Sequence, residues 1–422
     1  MVERHLGREK FMSLKVRGIL VLVIGTVLGL TVSIGGQLIS RSADAHRVAG
    51  VRSQEPAEIL ADIIARVSEE YVDQIDERTL IESAIRGIIE ELDNHSRYLD
   101  TLAYEDIRIS TSGHYAGVGI DVALQQGQPT VVSPIENTPA ERAGILAGDV
   151  VVAVDGEAVT ASNFQSMVGR MRGVAGTEVN IELQRDGSDE PLHFALLRAN
   201  IEVKTVYGEH LGDGFAYIRL TGFADNTAPG LDVIAERITR EAGGTLRGLV
   251  LDLRNNPGGL LDSAVAVADR FLDQGLIVRG TGRIQHARFE HHATAGHALE
   301  DVPLVIIVNS GSASASEIVA GALKDHARAR IVGIETYGKG SVQTVMPLSE
   351  GRALKITTSR YILPSGRTLS GDGISPDIRI ANSEPRRQFR GTASGVAMRE
   401  DPQMIRALRV IGYDPIALSQ AL

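Results

Sequence analysis

The hydrophobic pattern changes period along the chain, and each change marks a different kind of element. Between residues 55 and 92, Ile59, Leu60, Ile63, Ile64 and Val67 fall at helical spacing, and Leu80, Ile81, Ala84, Ile85, Ile88, Ile89 and Leu92 repeat it. Two amphipathic helices are predicted there, as a helical cap or dimerisation element. Residues 105–200 have a different texture, with short alternating runs punctuated by glycine. YAGVGIDVAL (115–124), PTVVSPI (129–135), DVVVAVDG (149–156) and TEVNIELQRDG (177–187) predict strands; PAERAGI (139–145) and FQSMVGRMR (164–172) predict helices. From 205 to 382 the runs lengthen. FAYIRL (215–220), LRGLVLDLR (246–254), VPLVIIV (302–308) and ARIVGIE (329–335) are apolar enough for buried strands, and helical spacing falls at 228–242, 261–273 and 318–328. Such alternation predicts a mostly parallel sheet covered on both faces. A polar stretch then leads to an apolar helical segment, Met404 to Ile411, with no assigned role.

The N-terminus breaks this pattern. Arg4, Arg8, Lys10, Lys15 and Arg17 precede an uncharged run from Gly18 to Ser40, long enough to span hydrocarbon as a helix. Positive charge before it puts residues 1–17 in the cytoplasm and the remainder outside. Export is expected, either with residues 18–40 as an uncleaved inner-membrane anchor or after cleavage at the small residues Ala43 to Ala45. The resulting divisions are 1–45 (cytoplasmic N-terminus and anchor or signal), 46–102 (helical cap), 103–200 (β-rich module), 201–382 (α/β domain) and 383–422 (tail with a short helix).

Composition narrows the chemistry. The 422-residue chain has a formal net charge of −10 and no cysteine. The charge argues against a nucleic-acid surface, and the missing thiols exclude cysteine catalysis, thiolate metal sites and disulfides. His286, His291, His292 and His297 lie in a segment read as a polar loop and lack metal-ligand spacing; no cofactor and no metal are expected.

Two turns stand at the carboxyl ends of predicted strands, where sheets of this type bind ligands. LRNNPGGL (253–260) offers glycine backbone that a ligand can approach closely, and NSGSASAS (309–316) puts three small-flanked serines before a helix. Ser314-x-x-Glu317 is also a capping box. A serine nucleophile needs a base. His326 would stand about 18 Å along the helix axis from Ser314, out of reach. The remaining basic candidate is Lys339 in TYGKGSVQ (336–343). Gly333 to Lys339 approaches a phosphate-binding loop, but Gly340 replaces the metal-binding hydroxyl and a strand-like run follows.

At this point the residues resemble a family. VNSGSASASEIVAGALKDHARARIVGIETYGKGSVQ, LDLRNNPGG, LDNHSRYL (92–99) and GDGISPDI (371–378) are similar to the C-terminal processing peptidases, serine endopeptidases with a Ser-Lys dyad. Asn94, where that family often has proline, is a minor departure. The resemblance implies Ser314 as nucleophile, Lys339 as general base and Gln343 as the group that orients it. The N–H groups of Gly259 and Ala315 would form the oxyanion hole. It selects Ser314 over Ser312 and Ser316, which spacing does not. The β-rich module resembles the family's PDZ domains, with Gly117, Val118, Gly119 and Ile120 as the loop that takes a peptide's terminal carboxylate.

The implied architecture is an α/β catalytic domain of the crotonase or tail-specific-protease type, with an inserted PDZ domain and a helical N-terminal cap. The implied partners are protein or peptide substrates held by their C-termini, the membrane, an adaptor lipoprotein and further copies of the chain, with no nucleic acid. A non-catalytic PDZ adaptor on a protease scaffold is the alternative. Two structural expectations follow. Lys339 should be walled by apolar side chains without a carboxylate partner, since desolvation lowers a lysine pKa. Segment 339–343 should also depart from a straight strand, which would hold Gln343 about 13 Å from Lys339.

Overall fold

The structure is a computed structural model, and it describes residues 56–381, apart from 298 and 370, together with 401–413. The expected anchor 18–40, the cleavage site at 43–45, the start of the cap and the polar opening of the tail lie outside the described residues. Among the described residues no helix is long and apolar enough to cross a membrane. The chain divides into two compact units, Met1–Ile88 and Ile89–Leu422.

In the first unit, helices run over 56–70 and from Glu77. Their apolar stripe is not consumed by the fold, since Ile59, Ile63, Ile81 and Ile88 remain exposed.

The second unit holds the β-rich module and the α/β domain. In the module, the order of strands is Ile120–Gln125, Gln128–Pro134, Val150–Val154, Glu178–Gln184 and Leu192–Leu197, so Ile120–Gln125 is an edge strand. Strand alternation turns Val179, Ile181 and Leu183 into a core with Val131, Val154 and Met167 of helix Phe164–Met171. Each such burial contributes about 1.5–3 kcal/mol.

In the α/β domain the strands are ordered Val206–Gly212, Phe215–Leu220, Gly248–Asp252, Leu304–Val308, Ala329–Gly333 and Ile378–Arg379. The first pair is antiparallel and the other four are parallel. Alternate residues of each strand serve opposite faces. Leu249, Leu251, Ile306 and Ile331 pack under helices Thr227–Glu241, Leu261–Asp269 and Ala315–Asp325. Val250, Val305, Ile307 and Val332 receive Met404, Ala407 and Leu408 of helix Pro402–Val410. That is where the unassigned C-terminal segment belongs.

A second sheet was not expected. Arg97–Leu99, Leu276–Gly282, Phe289–His292, Ser341–Pro347 and Ala353–Ile362 form five antiparallel strands. It corrects the picture of the domain as one parallel sheet. It also moves His291 and His292 from a loop onto a strand, which pairs antiparallel with the preceding strand Leu276–Gly282. No cluster of metal-ligating side chains occurs among the described residues.

Candidate active site

Strand Leu304–Val308 is buried throughout and must end at the domain surface. The turn that follows is sewn to LRNNPGG by its own polar side chains. Asn309 Oδ1 accepts from Asn255 N at 2.9 Å, and Asn309 Nδ2 donates to Asn255 Oδ1 at 3.0 Å. Ser312 Oγ donates to Leu253 O and Ser316 Oγ to Asn256 O, both at 2.9 Å. Asn256 closes its own turn by accepting from Gly258 N and donating to Leu220 O.

Two of the three serines are therefore glue, with no exposure at all. Ser314 differs. It stands just before helix Ala315–Asp325 with φ 55° and ψ −113°, a conformation that costs an L-residue about 1–3 kcal/mol. Its hydroxyl bonds to no backbone of LRNNPGG and faces the Tyr361 phenol. This is the physical distinction that spacing could not supply.

Gly258 and Gly259 lie against the same helix start. A Cβ on Gly258 would stand 2.9 Å from Ser314 Cβ and 3.0 Å from Ala315 N. Gly259, with φ 146°, would drive a Cβ to 2.1 Å from Phe223 O. Among the described residues the N–H groups of Gly259 and Ala315 have no hydrogen-bond acceptor, so two donors stand beside the serine unengaged.

Glu317 joins the serine turn to the lysine segment. Its buried carboxylate accepts from Ser314 N (2.8 Å), Gly338 N (2.7 Å), Lys339 N (2.9 Å) and the Thr336 hydroxyl. The Ser314-x-x-Glu317 spacing by itself predicts only the capping half of this arrangement. The same spacing carried the signal, but the residues at 336–339 could be placed only by the fold.

Lys339 is half-buried, and its Nζ makes no hydrogen bond or ion pair among the described residues. Burial, then the Lys355 cation, hold its pKa below the ordinary lysine value, while the carboxylates of Glu317 and Asp93 pull the other way. The expected apolar wall is thus partly replaced by a like charge. Alternation along Ala353–Ile362 puts Lys355, Thr357 and Tyr361 on one face. Lys355 neighbours Lys339, Thr357 bonds to Gln343, and Tyr361 faces Ser314. None of the three was singled out from the sequence, because a strand of the unexpected sheet carries them all.

Segment 339–343 is not a straight strand. Pairing begins at Ser341, and the register shifts between Val342 and Gln343. However, Gln343 Nε2 donates to Ser341 Oγ (2.8 Å) and Thr357 Oγ1 (3.2 Å), not to Lys339. The structure does not bring that pair together.

Arg254, in the LRNNPGG turn, grips Asp252 through Nη2 at 2.7 Å and Asp401, the cap of helix Pro402–Val410, through Nη1 at 2.5 Å. Burial opposes ionisation of Asp252, but the guanidinium outweighs it and holds the carboxyl below its ordinary value. The turn that shapes the site is thereby tied to the C-terminal helix.

In the β-rich module, Val118 O and Gly119 O accept from Ala140 N (3.0 Å) and Ile135 N (2.8 Å). Among the described residues the N–H groups of Val118 and Gly119 have no acceptor. Gly117 and Ile120 instead pair within strands. Gly119 has φ 83°, and a Cβ there would strike Thr138 at 2.3 Å, so glycine is required.

A strained serine beside two unengaged N–H donors has the geometry of a nucleophile next to an oxyanion site. A model of peptidase family S41 matches residues 214–380, and a PDZ domain model matches 116–196. The chain is 44% identical over 325 residues to a carboxy-terminal-processing protease of Bartonella bacilliformis, covering 77% of this chain and 75% of that one. It is 32% identical over 321 residues to the carboxy-terminal processing protease CtpA of Bacillus subtilis, covering 74% and 66%. Among solved structures, a photosystem II D1 C-terminal processing protease is 30% identical over 76% of this chain and 92% of that one, with a TM-score of 0.45. The chain belongs to peptidase family S41 and is a serine-type peptidase carrying a PDZ domain.

Proposed function

We propose that the chain is an endopeptidase that takes protein substrates by their C-terminal tails and cleaves them through a Ser314–Lys339 dyad. The observation that carries this reading is the Glu317 carboxylate, which fixes the backbones of both residues and takes no hydrogen bond from the lysine amine. Neutral Lys339 removes the proton from Ser314 Oγ as it attacks the scissile carbonyl. The N–H groups of Gly259 and Ala315 stabilise the oxyanion. Collapse of the tetrahedral intermediate passes the proton to the leaving amine, and water then hydrolyses the acyl-enzyme by the same route. Gln343 orients Lys339 in this scheme only after exchanging its bonds to Ser341 and Thr357.

The unengaged N–H groups of Val118 and Gly119 would receive the terminal carboxylate, with Gly117 and Ile120 framing the loop. The adjoining edge strand Ile120–Gln125 would pair with the tail. Export through residues 18–40, a helical cap, an adaptor lipoprotein and self-association through the exposed stripe of the N-terminal helices belong to the same reading. The test is labelling with a serine-directed phosphonate. Modification at Ser314, and loss of both labelling and casein cleavage in Ser314→Ala, support it. Undiminished cleavage by that variant overturns it.

A further inference from the structure

The LDNHSRYL stretch (92–99) is far ahead of Ser314 in sequence, yet it folds against the wall of the site. Arg97–Leu99 pairs with Ala353 to Lys355, and the turn before it continues along the same edge, where Thr357 N donates to Ser96 Oγ at 3.1 Å. Asp93 organises that turn. Its Oδ1 accepts from His95 N at 2.7 Å and from Ser96 N at 2.8 Å, and its Oδ2 accepts from Ser96 Oγ at 3.0 Å. The Thr357 hydroxyl bonds to the same carboxylate. Thr357 shares its strand face with Lys355 and Tyr361, so Asp93 is delivered to the face that overlooks Lys339 and Ser314.

Three charged groups act on the Lys339 amine, each from a different element: Lys355 from strand Ala353–Ile362, Glu317 from helix Ala315–Asp325 and Asp93 from the turn. Lys355 is itself half-buried and faces the Arg97 cation. Glu317 is committed to the N–H groups of Ser314, Gly338 and Lys339 and to the Thr336 hydroxyl. Burial opposes ionisation of Asp93, but the His95 and Ser96 N–H groups and the Thr357 and Ser96 hydroxyls outweigh it and hold the carboxyl below its ordinary value. The turn thus fixes an anion near an amine that makes no ion pair of its own.

We propose that Asp93 is a positioning residue of the dyad, a fixed counter-charge for the ammonium that forms when Lys339 takes the serine proton. The inference rests on the dyad reading above. The proton leaves Ser314 Oγ for Lys339 Nζ as the serine attacks, and passes to the leaving amine when the tetrahedral intermediate collapses. Between those events a cation stands in a half-buried place beside Lys355, where both desolvation and like charge disfavour it. Asp93 offsets that cost through its field, without touching the amine, and its turn needs no rearrangement at the moment of reaction.

The first measurement needs no turnover. In Ser314→Ala, the pH dependence of Lys339 acetylation by acetic anhydride, read by peptide mass spectrometry, reports the ionisation of Nζ. Adding Asp93→Asn should move its midpoint down by about 0.5–1 in pH, because loss of the anion disfavours the ammonium. With Ser314 present, Asp93→Asn should move the kcat/KM profile down by the same amount and lower kcat at high pH about two- to tenfold, as the base weakens. Higher salt should shrink the displacement. Ser96→Ala breaks the hydroxyl link between turn and Thr357 but keeps the carboxylate, so it should lower Tm and leave both midpoints in place. If Asp93→Asn fails to fold by circular dichroism, Asp93→Ser, whose hydroxyl can still accept from the turn, replaces it with the same expectation. A labelling midpoint unmoved by loss of the carboxylate, or moved equally by Ser96→Ala, overturns the inference. A wild-type kcat/KM profile that does not follow the ionisation of Lys339 counts against the dyad reading instead, and the labelling then decides Asp93 by itself.

Discussion

In the proposed dyad, Lys339 would set the pH behaviour. The amine is the active form, so activity should rise with pH through a midpoint below that of a free lysine, and fall away on the acid side as Nζ takes a proton. Burial and the Lys355 cation are the reasons. Replacing Lys355 by methionine removes the like charge, so the midpoint of the kcat/KM profile should move up; an unmoved profile would show that burial acts alone. Lys339→Arg cannot supply a neutral base. It should keep the fold by circular dichroism and lose about 10²–10⁴ in kcat, whereas near-normal turnover would displace the lysine from its role. Glu317 is a different kind of residue. Glu317→Gln sets an amide NH2 against one of two donor pairs, the N–H groups of Ser314 and Lys339 or the Gly338 N–H and Thr336 hydroxyl, and should destabilise by about 1–3 kcal/mol, seen as a lower Tm, while slowing cleavage.

At the scale of elements, the site is the meeting of a turn, a helix start and a strand. The LRNNPGG turn holds its shape through Asn255, Asn256 and the serines of the facing turn, and any side chain at 259 collides with the backbone of Phe223. Gly259→Ala should therefore lower Tm and abolish peptide cleavage together; a stable, active variant would exclude Gly259 N–H from the oxyanion hole. Strand Ala353–Ile362 supplies the opposite wall. Removing only the phenol oxygen there, in Tyr361→Phe, should lower kcat while leaving KM within about twofold, because the hydroxyl bonds to Ser314, the proposed nucleophile.

On the scale of the whole molecule, the β-rich module precedes the catalytic sheets in sequence and belongs to the same compact unit. Its proposed task is to capture tails. Deleting residues 105–200 should then slow cleavage of a protein with a free C-terminal tail far more than cleavage of a short internal peptide. Equal loss on both, in assays run side by side, would leave the module a structural part only.

Much of this was legible in the sequence because it is local. The period of apolar residues named Phe215–Leu220 and placed Gly248–Asp252 and Leu304–Val308 within their predicted runs, since a buried strand needs an unbroken apolar run wherever its partners lie. Glycines and small residues marked LRNNPGGL and NSGSASAS as turns, since turn chemistry is written in a few adjacent residues, while the choice of Ser314 and the role of Lys339 came from the resemblance. Other features depended on residues far apart. The second sheet pairs Arg97 with Lys355 and Arg279 with Ile362, partners so far apart that even the strand-like run after Gly340 carried no sign of what it joins. Lys355, Thr357 and Tyr361 join the site only because that sheet brings them there. Glu317 reaches from a helix cap to residues some twenty positions later, and Gln343 turns to Thr357 where the family resemblance pointed to Lys339. A periodic pattern reports which face of an element is buried. What that face meets is decided by hydrogen bonds and packing between segments that no local pattern links.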